Sequence, residues 1–458
     1  MKPSFARHRS LDELYDEGKR LRGKCPRHSH AAWQAPANRP EPLSLLLRSS
    51  KGRIRQLIPI RYGRMMQSPF TFYRGAALNM AADLAATPTT GLRVQACGDC
   101  HLLNFGAFAT PERRVIFDIN DLDETLPAPW EWDVKRLSAS FVLACRHRGF
   151  GDATARDTVL SCVRSYRLAM AEFSRMQVLD VWYAHADVED FFDKIRDKET
   201  RKRLRTRVAA ARERSVLEHD FPKLATVVGR LPTIRDAPPL IYHWRERGQK
   251  EFFAGVKFAF AKYRATLEDD RRQLLDRYEL RDIAIKVVGV GSVGTWCGIL
   301  LLLAGDRDPL FLQVKQASAS VLEAYAGKSL YPNHGQRVVN GCRLMQSASD
   351  LFLGWTVGPA GRQFYVRQLK DMKIKMLIDL FTRSVMAQYA EVCGWTLARA
   401  HARGTRPARI SGYLGNSDQF DEAIANFSIA YADQSERDHE VLMKAVSDGR
   451  LNIAREGP

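Results

Sequence analysis

Residues 281–316 constrain the fold most. DIAIKVVG, TWCGILLLLAG and LFLQVK follow one another as apolar, β-branched runs, with a GDRDP turn between the last two. A turn between two such runs predicts a hairpin. Ahead of it lies Gly289-Val290-Gly291-Ser292-Val293-Gly294. A G-x-G-x-x-G loop lets backbone amides approach phosphates without side-chain obstruction, and it serves both dinucleotide-binding folds and kinases. A dinucleotide fingerprint must open a helix. Here the loop leads into strand, turn and strand, and Lys315 ends an apolar alternation from which it can grip α- and β-phosphates. Residues 299–303 also fit a helix by apolarity alone, which keeps an NAD(P)-dependent oxidoreductase open.

A second cluster lies far upstream. Asp99 and Asn104 stand five positions apart in DCHLLN, and Asp118 follows on the strand-like run RRVIFDIN. Phosphoryl transfer needs these parts: a carboxylate to take the proton of the attacking hydroxyl, and an amide oxygen with a second carboxylate to hold Mg²⁺ against the nucleotide phosphates. Asp and Asn that merely shape a turn are the competing reading. Asp118, Asp121, Asp123 and Glu124 crowd four carboxylates into one short stretch. Such crowding is repulsive unless a cation, nearby Lys135 and Arg136, or a helix start compensates. Asp118 is the preferred ligand, with Asp121 as its alternate. In SASVLEAYAG a helical core places Glu323 where it could pair with Lys315, and a surface glutamate fits equally. His101 and His401 are candidate catalytic groups or hydrogen-bonded structural residues.

Composition narrows the partners. The net charge of +18 favours phosphorylated ligands, nucleic acid or an acidic surface without naming one. The basic run at residues 201–214 reads as a solvated helix face rather than a nucleic-acid stripe, since no aromatic residues interleave it. Eight cysteines in 458 residues are too sparse for a disulfide scaffold. Cys97-Gly98-Asp99-Cys100-His101 matches the c-type haem pattern, but haem attachment would need export and no export signal is visible. No apolar run long enough to span a membrane occurs, so the expectation is a cytoplasmic protein.

The stretches SPFTFYRG, CGDCHLLNFG, FDINDLDE, WDVKRLSAS, GVGSVGT, LQVK, YVRQLKDMK and LARAHARG together resemble a large bacterial family known as a conserved domain of unknown function, grouped with the protein-kinase-like superfamily. The block GDCHLLN, VIFDIND and PWEWD is also similar to aminoglycoside and choline phosphotransferases. That resemblance implies Asp99 as catalytic base, Asn104 and Asp118 as metal ligands, and Asp133 as a structural aspartate. Cys97 departs from the pattern by standing where a histidine usually precedes the Gly-Asp pair.

The order of parts is unusual. A kinase runs from glycine loop through lysine and long helix to catalytic loop; this chain begins at the catalytic loop and ends at the long helix. Cyclically the order is the same, and permutation is tolerated where termini lie close at a surface. The expected fold is therefore α+β, a protein-kinase-like two-lobed fold in circularly permuted order. Its parts are an arm (1–92), the catalytic and metal loops with a helical lobe (93–280), a β-rich nucleotide lobe (281–373), and closing helices (374–458). The expected activity is transfer of the ATP γ-phosphoryl to a hydroxyl of a small molecule or protein, with Asp99 as base, Asn104, Asp118 or Asp121 at Mg²⁺, and Gly289, Gly291, Ser292, Gly294, Lys315 and Glu323 around the nucleotide. Nucleotidyl transfer and a non-catalytic nucleotide-binding module remain open beside it.

Overall fold

A computed structural model describes residues 9–189, 197–212, 221–228, 231–244, 249–287, 289–305, 308–369 and 376–454, with Phe192 and Ile374. The fold is mixed α and β with several antiparallel sheets. The first segment supplies short helices: α1 (Leu11–Arg20), α2 (Pro42–Ser49), α3 (Ile58–Met65), α4 (Pro69–Gly75) and α5 (Ala77–Leu84). Ser10 caps α1 and Ser68 caps α4, each in a reciprocal bond with the residue three positions on.

Strands β1 (Arg93–Ala96), β2 (Phe105–Ala109), β3 (Val115–Ile119) and β4 (Leu126–Pro129) follow, then helices α6 (Trp130–His147) and α7 (Asp152–Phe173). The sequence predicts two strands flanking CGDCHLLNFGAFATPE; the second half of that segment is itself β2. It pairs antiparallel with β3, while β1 pairs with β4. FGAFA lacks β-branched residues, so local propensity conceals a strand that packing creates.

β5 (Ala186–Asp187) joins the edge of β3, and β6 (Ala225–Val228) pairs with β7 (Leu231–Ile234). The helix Lys198–Arg212 carries the basic run, with Val208 buried and Lys202, Arg203 and Arg205 in solvent. Residues 213 and 214 of that run lie outside the described residues. β8 (Ile241–Tyr242), β9 (Glu279–Lys286), β10 (Cys297–Ala304), β11 (Asp308–Gln316), β12 (Gly354–Val357) and β13 (Gln363–Gln368) form one sheet in the order β12-β13-β11-β10-β9-β8. The ambiguous run at 299–303 is strand. Leu300 and Leu302 pack on one face of the sheet and Ile299 and Leu301 on the other. Burial on both faces is what makes a β-strand read as continuously apolar. The sequence extends the last strand into KDMK; residues 370–373 lie outside the described residues.

Helices α8 (His334–Met345), α9 (Arg383–Arg403), α10 (Pro407–Leu414) and α11 (Gln419–Ser447) complete the chain. The sequence predicts no helix at α8, and a long helix over 374–403 and another over 420–432; the first of these starts at Arg383 and the second runs on to Ser447. The largest core lies among α6, α7, α9 and α11. There α9 crosses α7 so closely that a Cβ on Gly394 would sit 2.1 Å from the Cys162 carbonyl oxygen. Among the described residues no helix is long and apolar enough to cross a membrane.

Candidate functional site

The loop after β1 is fixed from below. Gly98 has φ +84°, and a Cβ there would lie 2.5 Å from the Glu124 carbonyl oxygen, so only glycine fits. The amides of Cys97 and Gly98 donate to Asp133 on α6, at 2.6 and 3.0 Å. Asp133 in turn faces His401 Nε2 at 3.1 Å, and His401 Nδ1 faces the Tyr166 hydroxyl at 2.9 Å. Asp133 is therefore a structural aspartate, and wholly buried His401 positions it rather than meeting solvent. Cys97 and Cys100 are enclosed in the same core.

Asp99 emerges from this support. Arg136 Nε donates to its Oδ1 at 2.8 Å, the neighbouring Nη2 also contacts it, and the carboxylate remains about a fifth exposed. Asn104 Nδ2 donates to the Asp99 carbonyl at 2.7 Å, leaving the amide oxygen free of that bond. His101 is buried with Nδ1 unpartnered, and burial pushes its pKa down to about 3.

Asp118 lies elsewhere. It is fully enclosed, accepting from the Ile119 amide, from the Ser347 amide and hydroxyl at 2.7 Å each, and from Arg399 of α9. Its oxygens join β3 to the helices, so the preferred metal ligand of the sequence lies enclosed among these partners. Asp121, just past the strand, instead meets Lys315 Nζ at 3.1 Å. Lys315 also reaches Asp123 at 3.1 Å, and the Tyr365 hydroxyl donates to Asp123. Burial opposes the Lys315 ammonium, yet Asp121 and Asp123 outweigh it and hold its pKa well above the ordinary value. Burial likewise opposes the Asp121 carboxylate, but Lys315 and Arg367 hold it below the usual range. Asp123 titrates high, through burial and then repulsion from Asp121.

Glu323 does not reach Lys315. It is buried beside Lys328 and His334, at 3.8 and 3.6 Å. The pairing expected from sequence is thus replaced by Asp121 and Asp123.

The glycine loop joins β9 to β10, two antiparallel strands, so it opens no helix and the dinucleotide geometry is not formed. Gly289 and Gly294 have positive φ. The loop is held by the first segment: Arg53 donates to the carbonyls of Gly291 and Val293 at 2.7 and 2.6 Å, the Ile54 amide donates to Gly294, and Val290 packs with Leu46, Tyr62 and Phe72.

A cavity of about 510 Å³ gathers these parts. Asp99, His101, Asn104, Asp121, Asp123, Glu124, Gly289, Gly291, Ser292 and Tyr365 all line it, as do Arg48, Lys51, Arg53, Arg61 and Arg74. Asp118, Glu323, Gly294 and Lys315 do not; Lys315 stands behind the wall, paired to Asp121 and Asp123. The arm cations are what sequence reasoning missed; the only signal was the recurrence of arginine through RYGRM and SPFTFYRG. Among the described residues no group of three His, Cys, Asp or Glu side chains converges into a ready-made metal cluster. Asn104 and Asp121 nonetheless fit Mg²⁺, a cation bound through one or two carboxylates plus substrate phosphates rather than by an all-protein cage.

No curated protein and no solved structure matches the chain. A family model does, over residues 53–445, which take in the loop after β1, the glycine loop and the helices between and after them. The resemblance to a bacterial family of unknown function is thereby borne out: the chain belongs to the family described as an uncharacterized protein conserved in bacteria (DUF2252).

Proposed function

We propose that this protein is a kinase-like phosphotransferase that moves the γ-phosphoryl of ATP to a hydroxyl. The observation that carries the reading is one cavity lined by Asp99, Asn104, Asp121 and the glycine loop, with Lys315 paired to Asp121 at 3.1 Å. Those groups come from segments almost two hundred residues apart, and a turn-forming role for any one of them would not bring them together. The sheet gives further support. A glycine loop between its first two long strands, a lysine on the third, then a helix and two more strands is the order in which a kinase builds its nucleotide lobe.

Asp99 accepts the proton of the acceptor hydroxyl. The acceptor oxygen then forms its bond to the γ-phosphorus as the bond from that phosphorus to the bridging oxygen breaks, and ADP leaves. Arg136 holds the Asp99 carboxylate in place through a charge-assisted hydrogen bond. Lys315 pairs with the nucleotide phosphates, and the amides around Gly289 and Gly291 line their path. Asn104 and Asp121 would hold Mg²⁺, which supplies charge neutralisation at the β- and γ-oxygens when bound.

The test is product identification from ATP labelled at the α- and γ-positions. Phosphoryl transfer predicts ADP with the γ-label on the acceptor or on water, lost in Asp99→Asn. Release of pyrophosphate with the α-label transferred would replace the reading with nucleotidyl transfer, and no ATP consumption beside intact Mg·ATP binding would favour a non-catalytic module.

A further inference from the structure

The cavity holds two sets of charges that no ion pair joins among the described residues. On one side, Asp99 is matched by Arg136, Asp121 and Asp123 are matched by Lys315, and Glu124 accepts from the Val321 amide at 2.7 Å. On the other, Arg48, Lys51, Arg53, Arg61 and Arg74 make no ion pair with any carboxylate among the described residues, although all five line the cavity. Arg61 is 1% exposed; it donates to Ser50 Oγ, Ser49 Oγ and the Gly75 carbonyl, all neutral, and its Nε has no partner among the described residues. Arg74 has a buried, unpartnered Nε and lies 6.0 Å from the centre of the Phe70 ring. An enclosed guanidinium without a paired carboxylate is costly to bury, and an anionic ligand would complete it.

We propose that the arm cations form an anion subsite for a small phosphate monoester, so that the molecule entering beside Asp99 carries a phosphate of its own. Position favours the acceptor over the nucleotide. Arg74 is near enough to Asp99 to feel its charge, and Gly291 approaches the Arg74 carbonyl, so these cations stand between the base and the glycine loop. Lys315 lies behind the cavity wall, paired to Asp121 and Asp123, and in the phosphotransferase reading serves the nucleotide side. Phosphate is the anion that best uses several guanidinium forks at once. The word acceptor rests on the phosphotransferase reading; the anion subsite does not.

The experiment is a set of melting titrations on the full chain, with sn-glycerol 3-phosphate or glycerol, each with and without saturating Mg·adenylyl imidodiphosphate to fill the γ-position. The phosphate ester is expected to raise the melting temperature on top of the nucleotide analogue, and glycerol is not. Arg74→Gln, whose native side chain makes no hydrogen bond to lose, is expected to weaken the ester by about tenfold. Lys51→Gln, at an exposed position, is expected to weaken it by about threefold. Both keep the analogue's shift, whereas Lys315→Ala loses the analogue's shift and keeps the ester's. The proposal is overturned if the ester gives no shift in either condition, or if its affinity is unchanged in both arm variants. It is overturned equally if those variants lose the analogue's shift together with the ester's, since the cations would then belong to the nucleotide. A shift from the ester alone, with none from the analogue, supports the subsite and sinks the nucleotide reading.

Discussion

The floor and the roof of the cavity are built by opposite rules. The floor, residues 97–124, is tied at nearly every polar group: Asp133 takes the Cys97 and Gly98 amides, Arg136 takes Asp99, Arg399 and Ser347 take Asp118, and Lys315 takes Asp121 and Asp123. The roof, made of residues 48–75 and the glycine loop, is tied through neutral carbonyls and hydroxyls, and the guanidiniums of Arg48, Arg53, Arg61 and Arg74 make no ion pair with a carboxylate among the described residues. A site that must orient a proton acceptor needs the first kind of construction; one that must welcome a polyanion needs the second. The first segment lines the cavity and is not merely a wrapping around it.

Breaking the floor should cost most. Asp118→Ala leaves Arg399 as an uncompensated buried charge, and a loss of about 3–5 kcal/mol is expected in urea unfolding. Asp118→Ala at near wild-type stability would show that the floor is not held as described. Gly98→Ala comes next. Backbone strain of about 1–3 kcal/mol is expected from the positive φ alone. ATP turnover should fall more steeply than stability, because the Cys97 and Gly98 amides must shift on Asp133.

A pH prediction sharpens the contrast from inside the floor. His101 is held neutral, with a folded pKa of about 3 against an ordinary value near 6.5. Its contribution to stability is fully present above about 6.5 and is lost progressively as pH falls towards 3, because the unfolded state binds the proton first. His101→Asn should flatten the acid side of the stability profile over that window; parallel wild-type and variant profiles would deny the depressed pKa. The smallest effect is reserved for the roof. Arg53→Gln removes a guanidinium that reaches two glycine-loop carbonyls but no carboxylate, so about 1 kcal/mol of stability is expected to go, with ATP affinity reduced more than the turnover number. An equal loss from Arg53→Gln and Asp118→Ala would erase the distinction between the two walls.

The legible parts of this molecule are those set by short-range pattern. Asp99 with Asn104, the glycine loop, and Lys315 at the end of an apolar alternation each follow from a few adjacent residues. The run at 299–303 was ambiguous only because burial on both faces of a strand removes its alternation. What stayed hidden depends on residues far away in the chain. Asp118 and Asp121 are equivalent acids in FDIND until Arg399, 281 positions later, claims one and Lys315 the other. Glu323 has the right spacing for Lys315 but faces Lys328 and His334. The arm's arginines acquire meaning only when residues 48–75 fold against a loop near residue 290.

The most direct test of the account is the Mg²⁺-dependent stabilisation by ATP in three proteins: wild type, Asp99→Asn and Asp121→Asn. At about 100 times Kd a ligand contributes about 2.7 kcal/mol. The account predicts that wild type and Asp99→Asn both show the full Mg·ATP shift, that Asp99→Asn nonetheless consumes no ATP, and that Asp121→Asn loses the Mg²⁺-dependent part of the shift. No shift in the wild type, or an undiminished Mg²⁺-dependent shift in Asp121→Asn, would contradict it.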